Sequence, residues 1–264
     1  MKVAILCQEE PVFLGPMIGQ IMRMHPDGVA AVFLAGRRSA GEHRRTWVQR
    51  LESLWVFWRI FELAGFAAAT AVRLRARLLG RWDPYSIAAT AGRLGIAVHH
   101  VGDPNGQDFC DLLARVQPDV VFNQSERILR KEVLSIPRCG FLNRHGSLLP
   151  AYRGRLASFW SHAAQSPRYG LTFHQVDEGL DTGPIVLQRE LGDIDPTWPY
   201  PKVMRCLCQA APELFWKAVD QLGGNDQLSP QPETTDTHAH VFPSLADVRR
   251  YREMMNLRRV KQRR

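Results

Sequence analysis

Short apolar runs alternate with helix-like patterns along this chain, and that alternation constrains its fold more than any other feature. Five runs are typical of buried strands, at residues 2–6, 29–34, 96–101, 120–122 and 139–143, and helical spacing occurs between them at 13–24, 84–94, 108–116 and 128–134. Strands that alternate with helices form a largely parallel sheet with helices on both faces. The sequence therefore predicts an α/β, Rossmann-like fold.

The chain after residue 143 continues this pattern and then changes character. Helices are predicted at 156–165 and 202–222, strands at 171–176 and 185–191, and a short helix with a frayed basic tail at 245–264. Residues 225–240 are polar and rich in Pro and Thr, which is typical of a loop. We therefore predict one α/β domain over residues 1–224 and a C-terminal extension over 225–264, made of a loop and a short basic helix.

The amino-acid composition indicates the cellular compartment and the class of ligand that we expect. The net charge of +8 and a pI near 9.6 favour anionic ligands. Five cysteines without a CxxC pair argue against a disulfide framework and for a reducing cytoplasm. The N-terminus reads as a strand rather than a signal peptide. The longest uncharged run in the apolar region, residues 63–72, is about half of the ~20 residues that a membrane span needs.

Residues 37–81 interrupt the alternation and predict a helical insertion of two helices. Aromatic residues stand among arginines in this segment: Trp47, Trp55, Phe57, Trp58, Phe61 and Phe66. Three interpretations stay open. The aromatic side chains could pack on the main domain or on a second subunit of a homodimer. Residues 40–81 could instead rest on an anionic membrane surface, with aromatic side chains inside and arginines outside, or bind nucleic acid.

Three polar residues near tight turns carry the chemistry. Asn143 and His145 are two residues apart at a predicted strand end, so both side chains face the same cleft. An amide N–H can stabilise an oxyanion, and an imidazole can move a proton near neutral pH. Asp181, in the glycine-containing turn 177–183, supplies a carboxylate that can orient the imidazole. This set of groups suits acyl transfer to an amine.

Two motifs resemble those of the 10-formyltetrahydrofolate-dependent formyltransferases. The first is Asn-Arg-His-Gly-Ser-Leu-Leu-Pro-Ala-Tyr-Arg-Gly at 143–154, and the second is His-Gln-Val-Asp-Glu-Gly-Leu-Asp-Thr-Gly at 174–183. The family includes enzymes that formylate methionyl-tRNA, glycinamide ribonucleotide and sugar nucleotides. The resemblance is firm over about residues 120–195, weaker over 1–36 and 84–119, and absent over 37–81.

The resemblance implies a formyltransferase fold, an enzymatic activity and a role for each matched residue. The catalytic groups would be Asn143, His145 and Asp181, and 10-formyltetrahydrofolate would be the co-substrate, with no metal. Its pterin ring would be held by two segments, Arg127, Ile128 and Leu129 in one and Val176, Asp177, Glu178 and Gly179 in the other. Tyr152 and Arg153 would border the acceptor, and Ser147 and His174 would support the site from behind.

The acceptor is less constrained. The first loop has Glu9 and Glu10 where a glycine-rich turn would cradle a phosphate, which argues against glycinamide ribonucleotide. The segment 155–158 lacks a proline common in the tRNA and sugar branches. We also expect no room after residue 224 for the C-terminal β-barrel of the methionyl-tRNA enzyme. A primary amine on a small anionic molecule, such as a nucleotide-linked amino sugar, is therefore the favoured acceptor.

Three alternatives remain from the sequence. The chain could formylate methionyl-tRNA, although tRNA is the less favoured partner, or hydrolyse 10-formyltetrahydrofolate with water as the acceptor. A non-catalytic relative could keep the fold and bind folate, RNA or a membrane. The expected location is the cytoplasm. The insertion also leaves open that the protein associates with a membrane.

Overall fold

A seven-stranded sheet forms the centre of the molecule. The computed structural model describes residues 1–10, 12–36, 55–56, 60, 63–80, 83–224, 228, 230–232 and 239–262. The strands are β1 (Val3–Cys7), β2 (Val29–Ala35), β3 (Ala97–Val101), β4 (Val120–Gln124), β5 (Phe141–His145), β6 (Gly170–Gln175) and β7 (Ile185–Glu190). Their order is β3-β2-β1-β4-β5-β6-β7. The first five strands run parallel, whereas β6 and β7 join antiparallel.

Helices cover both faces of the sheet, as the alternating pattern predicts. They are α1 (Leu14–Met24), α2 (Leu63–Leu78), α3 (Ile87–Arg93), α4 (Gln107–Val116), α5 (Lys131–Leu134), α6 (Ala157–His162), α7 (Tyr200–Gly223) and α8 (Leu245–Gln262). Alternate residues of β1 enter two separate cores: Ile5 packs in the core beneath α1, α3, α7 and α8, and Leu6 packs in the core beneath α4 and α5. The α/β fold predicted from the sequence is confirmed.

The strand order reverses beside β1, which pairs with β2 on one side and β4 on the other. Crevices that bind ligands form at such a reversal, beyond the carboxyl ends of the strands. Here the crevice opens past Cys7 and Gln124. The next strand, β5, ends at the same edge and carries Asn143 and His145 of the first motif.

Strand β5 and helix α5 differ in extent from the sequence prediction. β5 begins and ends two residues later, so Asn143 lies mid-strand, because Arg144 and His145 pair with β6. The predicted helix 128–134 shortens to α5, since the Asn105 side chain binds the carbonyl of Ile128 and the N–H of Arg130. In each case a partner distant in sequence decides the boundary.

The C-terminal helix α8 is longer than predicted and its basic part is docked. Arg258 donates to the carbonyl oxygens of His162, at 2.9 Å, and of Ala164, both near the end of α6. Val248, Tyr251 and Met255 of α8 are buried in the core beneath α7. The tail therefore continues as a helix to Gln262 rather than fraying after residue 255.

Part of the predicted insertion packs on the main domain. Val56 and Ile60 are buried and belong to the same core as α1 and α7, and Arg73 of α2 pairs with Asp83 at 2.9 Å. Within the described ranges, no helix is both long enough and apolar enough to cross a membrane. Trp47, Phe57, Trp58 and Phe61 lie outside the described residues, and so does most of the first predicted helix.

Candidate active site

Two neighbouring strands position the polar residues of the two motifs. Asn143 and His145 are two residues apart in β5, so their side chains project from the same face of the strand. The antiparallel register places His174 of β6 directly opposite Asn143. Asp181 lies in the loop between β6 and β7. The structure thus brings together the three residues predicted to be catalytic, with His174 beside them.

The carboxylate of Asp181 lies at the centre of this group. Its Oδ2 is 3.4 Å from Nδ1 of His145 and accepts a hydrogen bond from the Gly154 N–H at 2.9 Å. Its Oδ1 lies 3.4 Å from the amide nitrogen of Asn143 and 3.5 Å from Nε2 of His174. All four neighbours thus stabilise negative charge at Asp181.

These neighbours decide the charge of Asp181. Burial alone would raise its pKa, but the hydrogen bond with His174, the imidazole of His145 and the Gly154 N–H together lower the pKa to about 2. The carboxylate is therefore ionised at any physiological pH. The backbone of Asp181 adopts a φ of +54°, a left-handed conformation that is uncommon for residues other than glycine.

Both ring nitrogens of His145 face acceptors. Nε2 lies 3.0 Å from the carbonyl oxygen of Tyr152, and Nδ1 faces Asp181. Burial is the largest effect on the ring and lowers the pKa of His145 to about 4, while Asp181 acts in the opposite direction. The resting imidazole is neutral and has one N–H for two acceptors. Uptake of a proton would give each acceptor a donor, so the site is prepared to receive one.

A chain of side-chain amides fixes the orientation of Asn143. Gln124 Nε2 donates to Asn143 Oδ1 at 3.0 Å, and Arg144 Nε donates to Gln124 Oε1 at 3.1 Å. The amide nitrogen of Asn143 therefore points the other way, toward His174 Nε2 at 3.2 Å and toward Asp181. Sequence reasoning missed Gln124 and Arg144 in this role, because the adjacency of β4 and β5 is not visible in the chain order.

Both ring nitrogens of His174 have polar neighbours. Nδ1 lies 2.8 Å from the carbonyl oxygen of Gln175, and a carbonyl can only accept, so Nδ1 carries a proton. Nε2 lies 3.2 Å from the Asn143 amide nitrogen and 3.5 Å from Asp181 Oδ1. The predicted supporting role of His174 is consistent with these contacts, because the imidazole touches two predicted catalytic side chains from the sheet side.

A cleft of about 450 Å³ opens over these groups. Its walls come from the loops after β1 and β4, from the first turn of α6, from α7 and from the C-terminal extension. The residues that line it include Glu10, Phe13, Gln124, Glu126, Asn143, Arg144, His145, Arg155, Ser158, Asp181, Met204, Cys208 and Phe242. The sequence indicated Glu10 through its first loop, but it did not indicate Met204 and Cys208 of α7 or Phe242 of the extension.

The two segments predicted to hold the pterin ring meet in one apolar cluster. Leu129 is buried there, and Val176 packs against the same cluster. Ile128 is exposed, whereas Arg127 is partly buried. None of these residues is among those that line the 450 Å³ cleft.

The turn that follows Val176 is held by its own side chains. Asp177 accepts hydrogen bonds from the Thr182 hydroxyl, at 2.8 Å, and from the Gly179 N–H, at 3.1 Å. Glu178 and Gly179 are exposed between them. This turn leads directly into Asp181.

The remaining predicted residues are more peripheral. Tyr152 contributes its carbonyl oxygen to His145 rather than its ring. The guanidinium of Arg153 bonds Gln231 at 2.7 Å and does not line the cleft. Ser147 is buried and closes its own turn through the Ala151 carbonyl at 2.9 Å. Among the residues that the structure describes, no group of three or more His, Cys, Asp or Glu side chains could hold a metal ion.

An α/β sheet that carries an amide, two imidazoles and an ionised carboxylate at its crevice has the groups that acyl transfer to an amine requires. Residues 98–219 match the family model described as formyl transferase. The matched segment contains every residue predicted to be catalytic.

The similar curated proteins are methionyl-tRNA formyltransferases. That of Deinococcus radiodurans is 39% identical over 163 residues, which cover 60% of this chain and 50% of the relative. That of Thermotoga maritima is 34% identical over 140 residues, or 52% of this chain and 44% of the relative. The chain therefore spans about half the length of the curated relatives it matches.

Similar solved structures share the fold. The glycinamide ribonucleotide transformylase 1 of Symbiobacterium toebii is 18% identical with a TM-score of 0.56, covering 88% of this chain and 94% of that one. A sugar N-formyltransferase from a Shewanella species is 15% identical with a TM-score of 0.51, covering 95% of this chain and 87% of that one. At these identities the likeness concerns the fold alone.

Proposed function

We propose that this protein transfers a formyl group from 10-formyltetrahydrofolate to a primary amine. The observation that carries the proposal is the environment of His145, a buried neutral imidazole whose two nitrogens face the Tyr152 carbonyl and the ionised Asp181. Such a ring can take the proton that an amine must lose. The match of residues 98–219 to the formyl transferase family model supports the same reaction.

Each group has a role in this transfer. The bound donor supplies an activated formyl carbonyl. The Asn143 amide N–H stabilises the negative charge that develops on the carbonyl oxygen as the new C–N bond forms. His145 accepts the proton of the attacking amine, and Asp181 and the Tyr152 carbonyl stabilise the imidazolium. The same proton then passes to the tetrahydrofolate nitrogen as its bond to the formyl carbon breaks, which restores neutral His145.

The residues near the second motif are compatible with the donor. Leu129 and Val176 provide an apolar floor for a flat ring, and the exposed turn at Glu178 and Gly179 places backbone groups beside it. We therefore assign Arg127, Ile128, Leu129 and Val176–Gly179 to donor binding as part of this proposal.

Two glutamates bear on the choice of acceptor. Glu10 accepts hydrogen bonds from the N–H groups of Val12, Phe13 and Leu14 at 2.7–2.8 Å, at the start of α1. Glu9 accepts from the Ile87 and Ala88 N–H groups at the start of α3, at 3.3 and 2.9 Å. Helix N-termini are anion sites, and here the chain's own carboxylates occupy both. An acceptor phosphate is therefore disfavoured at this end of the cleft.

Arg155 is a second charged group in the cleft lining that bears on the acceptor. The Arg155 guanidinium lies 5.8 Å over the Phe242 ring and pairs with Glu126 at 3.0 Å. An arginine stacked on an aromatic ring suits the phosphates and base of a nucleotide. A small amine on an anionic carrier, such as a nucleotide-linked amino sugar, is the acceptor that we propose, entering with its carrier at Arg155.

Methionyl-tRNA is the second candidate. The curated relatives reported above carry that name, and α8 exposes Arg249, Arg250, Arg252, Arg259 and Lys261. A basic helix face can bind a phosphate backbone, and the binding weakens steeply with salt. This acceptor would use α8 instead of Arg155 and Phe242.

Turnover of 10-formyltetrahydrofolate with defined amines tests the proposal. Release of tetrahydrofolate would be followed with nucleotide-linked amino sugars, with methionyl-tRNA and without amine, and products identified by mass. We expect release only with an amine, and we expect His145→Ala to lower the rate by about 10²–10⁴-fold with its circular dichroism unchanged. Release without amine would identify a hydrolase. No release under any condition would contradict a catalytic role.

A further inference from the structure

The C-terminal extension reaches back to the catalytic turn through one side chain. Gln231 Nε2 donates to the carbonyl oxygens of Asp181 and Gly183, each at 2.8 Å. Its Oε1 accepts from Arg153 Nη2 at 2.7 Å. The two N–H groups and the oxygen of one amide are thus all used, and they join the turn that carries Asp181 to the loop that carries Arg153.

A second contact holds the same loop from the other side. The His240 N–H donates to the Arg153 carbonyl at 2.7 Å, and the His240 carbonyl accepts from the Arg155 N–H at 2.8 Å. The His240 ring stacks on Trp160 at 4.9 Å. Gly154 lies between these bonds with a φ of +99°, and a Cβ there would meet the His240 carbonyl oxygen at 2.3 Å. The extension and the loop therefore fit closely around Gly154.

These contacts between the extension and the loop also constrain the geometry of Asp181. The Gly154 N–H holds Asp181 Oδ2 at 2.9 Å, and Gln231 holds the backbone of Asp181. The left-handed φ of Asp181 is sparsely populated by residues with a Cβ and persists where surrounding contacts enforce it. With both contacts in place, the carboxylate stays 3.4 Å from His145 Nδ1.

We propose that Gln231 is a positioning residue for formyl transfer, which fixes the Asp181 carboxylate against His145 by binding the backbone of the turn. The effect on kcat that follows from this inference rests on the proposed function. The inference concerns a residue outside the matched family segment 98–219. It also gives the extension a role in the chemistry, although Gln231 touches neither reactant.

The inference predicts the direction of a pH effect. The charged groups that face His145 are Asp181, His174 and Arg144, and of these only Asp181 raises its pKa. If the turn loosens, the carboxylate moves away and the pKa of His145 falls further. Because neutral His145 is the base, the acid limb of the rate profile then moves to lower pH, while the maximal rate falls because the imidazolium is less well stabilised.

Gln231→Glu is the decisive variant. It keeps the size of the side chain and the partner of Arg153, but it replaces the two N–H donors with acceptors. We expect kcat to fall by about tenfold to a hundredfold, as for loss of positioning around a reacting group, with the KM for 10-formyltetrahydrofolate little changed. Val241→Ala, at an exposed position on the same extension, is the matched control and should match the wild type.

An independent readout separates this inference from the proposed function. Nuclear magnetic resonance titration of His145 needs no substrate, and we expect a lower pKa in Gln231→Met, which removes the N–H donors without adding a charge, than in the wild type. That result would stand even if no acceptor gave turnover in the wild type. An unchanged His145 titration, or a lower melting temperature with unchanged kcat and pH profile, would overturn the positioning role and leave Gln231 as a purely structural contact.

Discussion

At the scale of single residues, the site depends on which atoms of each side chain face one another. Asn143 can stabilise an oxyanion only with its N–H toward the reaction, and that orientation is set by Gln124, whose N–H occupies the Asn143 oxygen. Arg144 sets Gln124 in the same way. The orientation of the Asn143 amide thus depends on the Arg144 side chain, which acts on it through Gln124.

Replacing Gln124 with glutamate should reverse this orientation. Gln124→Glu keeps the contact with Arg144 but presents only acceptors to Asn143, so the Asn143 amide would turn its N–H toward the new carboxylate. We expect kcat to fall by about 10²–10³-fold, the usual effect of losing one oxyanion donor, with KM nearly unchanged. Steady-state kinetics measures both. A kcat close to the wild type would show that Gln124 does not orient Asn143.

At the scale of elements, the packing of α6 against α8 contains a buried histidine outside the candidate site. His162 accepts a hydrogen bond from the Tyr169 hydroxyl at 2.8 Å and donates to the Trp198 carbonyl at 3.1 Å. Burial, followed by the charge of Arg258, lowers the pKa of His162 to about 4. The neutral ring is therefore part of the folded state.

This histidine makes the stability depend on pH. An unfolded histidine takes up a proton near pH 6.5, whereas folded His162 does so only near pH 4. The free energy of unfolding should therefore fall as the pH drops from about 6.5 to about 4, because the unfolded chain binds more protons in that range. His162→Gln should make this fall shallower in urea titrations at several pH values. The matched control is His100→Gln, at an exposed position, where the slope should stay that of the wild type.

Most elements follow from apolar periodicity, and the differences arise from long-range partners. The α/β pattern predicts the strands β1 to β5 because buried parallel strands are nearly continuous apolar runs. The ends of β5 and α5 depend on β6 and on Asn105, which the local pattern does not contain. The motifs predict Asn143, His145 and Asp181 as a group, whereas Gln231 is one polar residue in a Pro/Thr-rich segment and meets Asp181 only through the folded chain.

At the scale of the whole molecule, the insertion and the extension both contribute to the main domain. Val56 and Ile60 enter the core that α1 and α7 share. Phe242 of the extension lines the cleft, and Tyr251 of α8 is buried against α6 through Phe159. The segments that interrupt or follow the α/β pattern thus complete its core and its crevice.

The described part of the insertion predicts a specific loss of stability. Ile60→Ala should lower the free energy of unfolding by about 2–5 kcal/mol, the range for a buried isoleucine in a packed core. Trp55→Ala removes a larger side chain at a position that is 44% exposed and should have a much smaller effect. Urea denaturation measures both. Equal effects of the two variants would contradict the packing of this segment on the main domain.

The contact between Gln231 and Asp181 also has a consequence for the order of synthesis. The strands, both motifs and helix α7 all precede residue 231 in the chain, so they leave the ribosome and can begin to pair before Gln231 and His240 are made. The turn at Asp181 would then lack its contact with Gln231 in the nascent protein. On the proposed function, a formyl donor encountered at that stage would meet an incomplete site, and full activity would begin only when Gln231 and His240 reach the turn and its neighbouring loop.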